Sequence, residues 1–208
     1  LLMLALIVST ETQVVRRDVQ FAGCSDTEKE FLFGFDGEEP FHSDFIRKEA
    51  VATAPDFADP ISFPGFYELG VANIEVCKQN LATYIKAYNS PDEQLVPPDA
   101  SIYSEDDVVL GAQNTLICHV TGLFPPPVNV SWTKNNQIVT EDVSLSQYRR
   151  KNDGTFNIFS SLKFTPAEGD IYSCTVYHKA LESHFTTKTW EVDVAVPGVG
   201  PAVFCGVG

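Results

Sequence analysis

The sequence predicts two domains of different fold class: an α+β domain of antiparallel strands and one long helix, followed by an all-β sandwich. Three observations support this. The 208 residues fit two domains of about 100 residues each. Apolar residues recur with helical period only in residues 64–89, whereas short alternating runs dominate after residue 97. Residues 90–98, which contain three prolines, separate the two patterns as an extended connector.

Three or four strands open the first domain, at residues 19–24, 30–35 and 41–51, with Asp36-Gly37 as a tight hairpin turn. A helix of about 25 residues follows, at 64–89. Its apolar positions are Phe66, Leu69, Ala72, Val76, Leu81, Tyr84, Ile85 and Tyr88. So small a sheet leaves open backbone at its edge. A partner subunit that supplies a matching half would close the sheet and leave a groove between two helices.

The second domain carries the cysteine and tryptophan spacing of an immunoglobulin constant-type sandwich. Cys118 and Cys174 are 56 residues apart, Trp132 follows the first cysteine by 14, and Tyr172 precedes the second by two. In such a fold a disulfide joins the sheets, the indole packs on it, and the tyrosine caps a corner. The predicted strands are residues 102–103, 114–120, 128–133, 156–164, 171–178 and 187–194.

The two ends indicate a secretory, membrane-anchored chain that is truncated in this sequence. Residues 1–10 are apolar and are predicted to be the remnant of a signal peptide, the alternative being a buried strand. Residues 195–208 are predicted to be a connecting peptide and the start of a membrane span. Five cysteines favour an oxidising compartment, and Asn129-Val130-Ser131 is a glycosylation sequon at Asn129.

Charge and motif content exclude several classes of function. Between residues 18 and 96 there are 15 acidic against 5 basic side chains, a net charge of −10 within the total of −14. Nucleic acid is therefore not an expected partner, because phosphate binding needs a basic face. Most of these acidic residues we ascribe to solubility. No nucleophile–base grouping or metal-ligand spacing is present, so neither an enzyme nor a metal or cofactor site is expected.

The sequence resembles the alpha chain of a major histocompatibility complex class II molecule over nearly its whole length. The stretches that carry the resemblance are Phe35 to His42 (FDGEEPFH), Val71 to Leu81 (VANIEVCKQNL), Asn114 to Pro126 (NTLICHVTGLFPP), Val128 to Trp132 (VNVSW) and Tyr172 to His178 (YSCTVYH). The resemblance implies an alpha-1 peptide-binding domain at residues 11–96 and an alpha-2 immunoglobulin domain at 97–194.

Its implied partners are a beta chain in an obligate heterodimer, an antigenic peptide, the receptor of helper T cells, and the invariant chain during assembly. The implied location is the plasma membrane and endosomal or lysosomal membranes, reached by the secretory pathway as a type I protein with lumenal or extracellular domains. A nonpresenting class II-like chaperone that exchanges peptides in endosomes is the alternative. An unrelated adhesion or receptor domain of the immunoglobulin superfamily is a third interpretation, which the first domain disfavours.

Asn73 and Asn80 are the leading peptide-binding candidates. Seven residues make almost two helical turns, so both side chains point the same way, about 10.5 Å apart along the axis. A peptide in polyproline conformation repeats every three residues, or roughly 9.3 Å. Each amide can therefore bond the backbone N–H and C=O groups of successive repeats, whatever the peptide's side chains. Spacing alone also permits two solvated asparagines.

The rest of the candidate peptide-binding set comes from the sheet and the two helix ends. Strand alternation and the resemblance place Asp18, Gln20, Phe31, Phe33 and Phe41 on the groove side. The alternative is that the phenylalanines are core beneath the helix, which we favour for Phe35. The set is completed by Val76, Tyr84, Ala87, Phe63 and Pro64.

Two positions depart from the family pattern. Ala87 stands where the family usually has an arginine that pairs with an aspartate of the beta subunit, and Lys86 lies about 100° away on the helix. The C-terminal end of a peptide is therefore expected to be held differently. Pro64 has no N–H where the family uses backbone groups to hold the N-terminal side of the peptide.

Three further cysteines and one histidine are also candidates for a structural or functional role. Cys24 on the first strand and Cys77 in the helix are expected to tie helix to sheet, a bridge that presenting members often lack and that the chaperone branch and some non-mammalian members have. Cys205 is expected to be unpaired, with palmitoylation as the alternative. His42 is a candidate pH sensor for loading in acidic endosomes, against an ordinary structural role.

Overall fold

The computed structural model describes residues 18–35, 38–53 and 62–192. The protein divides into two compact units, Leu1–Pro91 and Asp92–Gly208. The division comes before the predicted boundary at residue 96 because Val96 pairs with Phe124, a residue of the second unit. The predicted signal-peptide remnant, the connecting peptide and membrane span with Cys205, and the Asp36-Gly37 turn lie outside the described residues.

In its described residues (18–35, 38–53 and 62–91), the first unit has an antiparallel sheet of four sequential strands and one helix. The strands are β1 (Asp18–Cys24), β2 (Lys29–Phe35), β3 (Glu38–Asp44) and β4 (Glu49–Ala52), and the helix is α1 (Phe66–Ala87). The third predicted run divides into β3 and β4 because Asp44 Oδ1 accepts hydrogen bonds from the backbone N–H groups of Ile46 (2.8 Å) and Arg47 (2.9 Å). A side chain that bonds its own backbone in this way favours a turn over a continued strand.

One face of α1 is buried on the sheet. Phe66, Gly70 and Ile74 recur every four residues and are the buried positions of the helix. The ring of Phe66 lies 5.1 Å from that of Phe31 and 5.8 Å from that of Phe41, centroid to centroid. These three aromatic residues form the core of the unit.

A disulfide and a glycine bring the helix close to the strands. Cys24 and Cys77 are bonded, with a Cα–Cα distance of 6.1 Å, so the predicted tie between β1 and α1 is present. At Gly70 a Cβ would come within 2.4 Å of Ser43 Oγ and 2.9 Å of Phe31 Cδ1. Only glycine permits this approach, so the sequence sets how deeply the helix sits at this point.

The second unit is a sandwich of two antiparallel sheets, as predicted. Within residues 92–192, nine strands form it: β5 (Asp99–Ser104), β6 (Asn114–Leu123), β7 (Asn129–Lys134), β8 (Gln137–Val139), β9 (Val143–Leu145), β10 (Arg149–Arg150), β11 (Phe156–Phe164), β12 (Ile171–Tyr177) and β13 (Phe185–Glu191). One sheet has the order β10-β11-β6-β5, with β9 also paired to β11, and the other β13-β12-β7-β8. The prediction omitted β8, β9 and β10, which have only two or three residues each and no alternation strong enough to detect.

The core of the sandwich is built around the predicted cysteine, tryptophan and tyrosine residues. Cys118 and Cys174 are bonded across the sheets with a Cα–Cα distance of 6.3 Å, and Trp132 lies opposite Cys174 on the neighbouring strand. The buried indole Nε1–H of Trp132 donates to Ser160 Oγ at 2.9 Å. This bond satisfies a polar group that would otherwise be costly to bury.

Tyr172 caps its corner through a carboxylate. Its hydroxyl donates to Asp170 Oδ2 at 3.3 Å, whereas the fold's usual corner bonds the backbone. Asp170 also accepts from Lys134 Nζ at 2.8 Å and from Asn135 Nδ2 at 2.9 Å. The Lys134 ammonium, followed by the Asn135 amide, lowers the pKa of the Asp170 carboxyl, while burial raises the pKa of Tyr172.

Candidate functional site

The predicted peptide-binding residues of α1 lie along one side of the helix, beside the face that packs on the sheet. At about 100° per residue, Asn73, Val76, Asn80, Tyr84 and Ala87 fall within about 80° of one another. All except Asn73, which is half-buried, are exposed. The structure therefore leaves this strip of the helix accessible in the described part of the protein.

Asn73 and Asn80 differ in their surroundings. Asn73 Nδ2 donates to the backbone oxygen of Leu69, one turn earlier, at 2.8 Å. Because an amide nitrogen carries two hydrogens, Asn73 keeps one N–H donor and its Oδ1 acceptor for a ligand. Asn80 is exposed to solvent. The helix bond of Asn73 was not predicted, because any asparagine at this spacing can either bond its own helix or face outward.

The helix-facing side of the sheet carries the predicted floor residues. Gln20 lies opposite Phe33, and Phe33 lies opposite Phe41, so these three form one row across β1, β2 and β3. Gln20 is exposed and Phe33 is half-buried. Asp18, at the end of β1, is exposed and shares the face of Gln20. Asp18, Gln20 and Phe33 thus remain candidates for the floor.

The other phenylalanines require correction. Phe31 is fully buried and Phe41 is 7% exposed, both under the ring of Phe66, so the core interpretation fits them and we exclude them from the candidate floor. The prediction that Phe35 is core beneath the helix is wrong, since 37% of Phe35 is exposed. Phe35 is the last residue of β2, beyond a shift in the pairing with β3, whereas the helix covers the opposite end of that strand at Phe31.

The two ends of the helix frame the strip. Phe63 and Pro64 are exposed just before α1, and the Phe63 ring packs edge-on against Phe66 at 5.6 Å. Gly65 at the N-cap has φ 82°, a left-handed conformation that glycine adopts freely. At the other end Ala87 is the last helical residue and is exposed.

His42 lies away from the strip. It pairs with Leu32 and alternates with Phe41 along β3, so its side chain is on the face opposite α1. Its Nδ1 is 2.8 Å from Glu39 Oε1. A role for His42 in pH sensing stays a prediction, and any such effect would have to cross the sheet.

His119, in the sandwich, was not among the predicted residues. Its ring stacks on Phe159 with centroids 4.2 Å apart, and its buried Nε2 has no hydrogen-bond partner among residues 18–35, 38–53 and 62–192. Burial lowers the pKa of the His119 imidazole. The alternation of β6 indicates only that His119 points away from the core, so the stacking partner could not be deduced from it.

Comparison with known proteins identifies the family. A model described as class II histocompatibility antigen, alpha domain matches residues 17–94, and an immunoglobulin C1-set domain model matches residues 100–181. The SLA class II histocompatibility antigen, DQ haplotype D alpha chain of Sus scrofa is 37% identical over 177 residues, which cover 84% of this chain and 68% of the relative. The chain belongs to the class II histocompatibility antigen alpha chains.

A second relative supports the same family assignment for this class II alpha chain. The Rano class II histocompatibility antigen, B alpha chain of Rattus norvegicus is 32% identical over 185 residues, which cover 88% of this chain and 71% of the relative. Membership implies pairing with a beta chain and a part in antigen presentation, which is a non-enzymatic role. The described residues contain no helix long and apolar enough to cross a membrane, and no cluster of potential metal ligands.

Proposed function

We propose that this protein is the alpha subunit of a class II heterodimer that binds an extended peptide along α1 and presents it at the cell surface to the receptors of helper T cells. The observation that carries the proposal is the pair Asn73 and Asn80, which share one side of α1 above the sheet. Their axial separation of about 10.5 Å is close to the repeat of a polyproline-type peptide. Recognition of the peptide backbone in this way accepts many peptide sequences.

The surfaces around that pair of asparagines select among the side chains of the peptide. Val76 lies between the two asparagines on the helix, while Gln20 and Phe33 face the helix from the sheet. An apolar contact beside polar groups is the usual composition of a ligand site. The beta subunit supplies the other wall and the other half of each pocket.

The ends of the peptide are held by different means from those usual in the family. Ala87 offers no charge to an aspartate of the beta subunit, and Lys86 points about 100° away from it. The stacked rings of Tyr84 and Tyr88, 6.4 Å apart, border this end of the helix. We propose that the C-terminal side of the peptide contacts Tyr84 instead of an arginine. At the other end, Phe63 offers an apolar surface and Pro64 offers no N–H.

The two disulfides support passage through an oxidising secretory pathway. We accordingly place the two domains in the lumen of endosomes and outside the cell, with the invariant chain as a partner during assembly. We propose that residues 195–208 are a connecting peptide and the start of the membrane anchor that holds the protein in the membrane.

The asparagine proposal is tested by peptide affinity. The heterodimer is produced with its beta subunit, and dissociation constants are measured for one peptide by competition. We expect Asn80→Ala, and separately Asn73→Ala, to weaken binding roughly thirtyfold, because each removes two hydrogen bonds worth about 1 kcal/mol apiece. Gln79→Ala is the matched control, since it removes an exposed amide about 100° from Asn80 on the same helix. Equal affinities for all variants would refute the assignment.

The peptide-exchange chaperone remains the second candidate because the Cys24–Cys77 bridge, which the resemblance associates with that branch among others, is present. Acid elution of the purified heterodimer separates the two functions. Nested peptides in the eluate support presentation. An empty eluate, together with faster peptide exchange on another class II molecule, supports the chaperone.

A further inference from the structure

The glycosylation sequon lies in a row of exposed aromatic residues. Asn129 on β7 is directly opposite Tyr177 on β12, and Tyr177 is directly opposite Phe185 on β13. Directly paired residues point to the same side of a sheet, with Cβ atoms about 4.5–5.5 Å apart. Asn129 is exposed, and Tyr177 and Phe185 are 44% and 50% exposed. Their ring centroids are 6.0 Å apart at an interplanar angle of 45°.

The neighbouring rows of the same face are polar. Thr175 Oγ1 and Thr187 Oγ1 are 3.0 Å apart, and Ser173 Oγ and Thr189 Oγ1 are 3.2 Å apart, so the hydroxyls of each row bond one another. A pair of large apolar rings at the end of a hydroxyl-lined face leaves apolar surface in contact with water, which is unfavourable. The two exposed rings in the row of Asn129 therefore have no apolar partner in the polar rows beside them.

We propose that Tyr177 and Phe185 form a platform on which the first N-acetylglucosamine of a glycan at Asn129 packs. A pyranose ring has an apolar face of C–H groups, and an aromatic ring presents a negative face to which such C–H groups are attracted. The sugar is tethered within reach, because it is bonded to an Asn129 side chain whose Cβ is one strand away from that of Tyr177. The occupant of the platform is thus specified by the covalent link.

The platform acts only after the glycan is attached. A separate transferase of the secretory pathway attaches it from a lipid-pyrophosphate oligosaccharide. Asn129 Nδ2 loses one proton and forms the bond to C1 of the sugar, and the lipid pyrophosphate leaves. Packing then covers both rings, so the glycan stabilises β12 and β13 as well as shielding the surface.

The test compares glycosylated and unglycosylated heterodimer in the wild-type background, in a background without the two rings and in a control background. Ser131→Ala removes the sequon while leaving Asn129 in place. The second background carries Tyr177→Thr and Phe185→Thr, which remove the rings but keep residues that favour strands. Tyr103→Thr is the matched control, an exposed tyrosine on β5 of the other sheet. Intact mass gives the occupancy of Asn129, and thermal unfolding gives Tm.

We expect Ser131→Ala to lower Tm by at least about 2 °C in the wild-type and Tyr103→Thr backgrounds, and to leave it unchanged in the double-threonine background. In the wild-type glycoprotein the NMR signals of the first sugar should shift upfield under the ring currents. This second measurement needs no variant, so it remains decisive if the double-threonine protein fails to assemble. Unshifted sugar signals, an equal loss of Tm in the wild-type and double-threonine backgrounds, or an unmodified Asn129 would each overturn the proposal.

Discussion

The close approach of α1 to the sheet at Gly70 leads to a quantitative prediction. In Gly70→Ala the new Cβ would lie 2.4 Å from Ser43 Oγ, 3.1 Å from Ser43 Cβ and 2.9 Å from Phe31 Cδ1. Favourable carbon contacts need about 3.5–4.0 Å, so the helix must rise or the fully buried Phe31 ring must move. Overpacking of this kind costs about 1–3 kcal/mol, against which alanine gains about 1 kcal/mol in helix propensity. We expect a net loss of roughly 1 kcal/mol, within a range of about 0–2 kcal/mol.

The assay is urea unfolding of the heterodimer, with Ala72→Gly as the control for propensity. Ala72 is exposed on the same helix, so its replacement reports the glycine penalty without a clash. If Gly70→Ala instead stabilises the protein by the amount that Ala72→Gly costs, the helix is not held at the described depth and the reasoning is refuted.

A double-mutant cycle identifies the atoms responsible. The Ser43 hydroxyl is buried and has no hydrogen-bond partner within the described ranges, so Ser43→Ala alone should be neutral or slightly stabilising. It also removes the atom nearest to the new Cβ. We expect Gly70→Ala to cost about 1 kcal/mol less in the Ser43→Ala background. Strict additivity would place the strain elsewhere.

Three further predictions concern the covalent tie and two titrating groups. Replacing Cys24 and Cys77 by alanine should lower the free energy of unfolding by about 4 kcal/mol, the loop-entropy value for their separation of 53 residues, measured in urea. Asp170→Asn should cost about 1–2 kcal/mol at pH 7, where Lys134 keeps the pKa of Asp170 low. That contribution is present above the unfolded pKa of about 3.9 and is lost as pH falls through the folded pKa, so wild type and variant should converge in acid. Burial lowers the pKa of His119, so stability should decline as pH falls below about 6.5, and His119→Gln should weaken this decline between pH 7 and 5 in thermal unfolding.

For each of these three predictions, one experimental result would contradict it. Mass mapping that finds free thiols at Cys24 and Cys77 in the purified protein would remove the basis of the first. A constant difference between Asp170→Asn and wild type down to pH 2 would show that the carboxylate charge is not what stabilises the corner. Parallel pH profiles for His119→Gln and wild type would show that the imidazole is equally easy to protonate in both states.

Much of the fold was predictable because its strongest signals are local or depend on a few spaced residues. The helix at residues 64–89 was expected from periodicity, and α1 spans Phe66–Ala87. The spacing of Cys118, Trp132 and Cys174 predicted the sandwich, since that fold places these three residues together whatever the intervening loops. The short strands β8, β9 and β10 were not predicted, because their pairing with longer strands, and not their own sequence, makes them extended.

Some features of the candidate site were likewise predictable from the sequence, and others were not. That Asn73 and Asn80 share one side of α1 follows from helix geometry, and the same geometry separates Lys86 from Ala87. Burial on the sheet does not follow from alternation, which assigns Phe31, Phe33 and Gln20 to one face without saying which of them the helix covers. Phe31 is buried and Gln20 is exposed because Phe66 and Gly70 pack the helix against the end of β2 that contains Phe31.

The sequence by itself determined the two domain types, the Cys118–Cys174 pair and the helix side that carries the asparagines, because each depends on spacing within the sequence. The tertiary structure alone decided which floor residues remain open, where His42 points, and that Tyr177 and Phe185 stand beside Asn129. Those features depend on register and packing depth, which join residues far apart in sequence. No period or motif within a single strand contains that information.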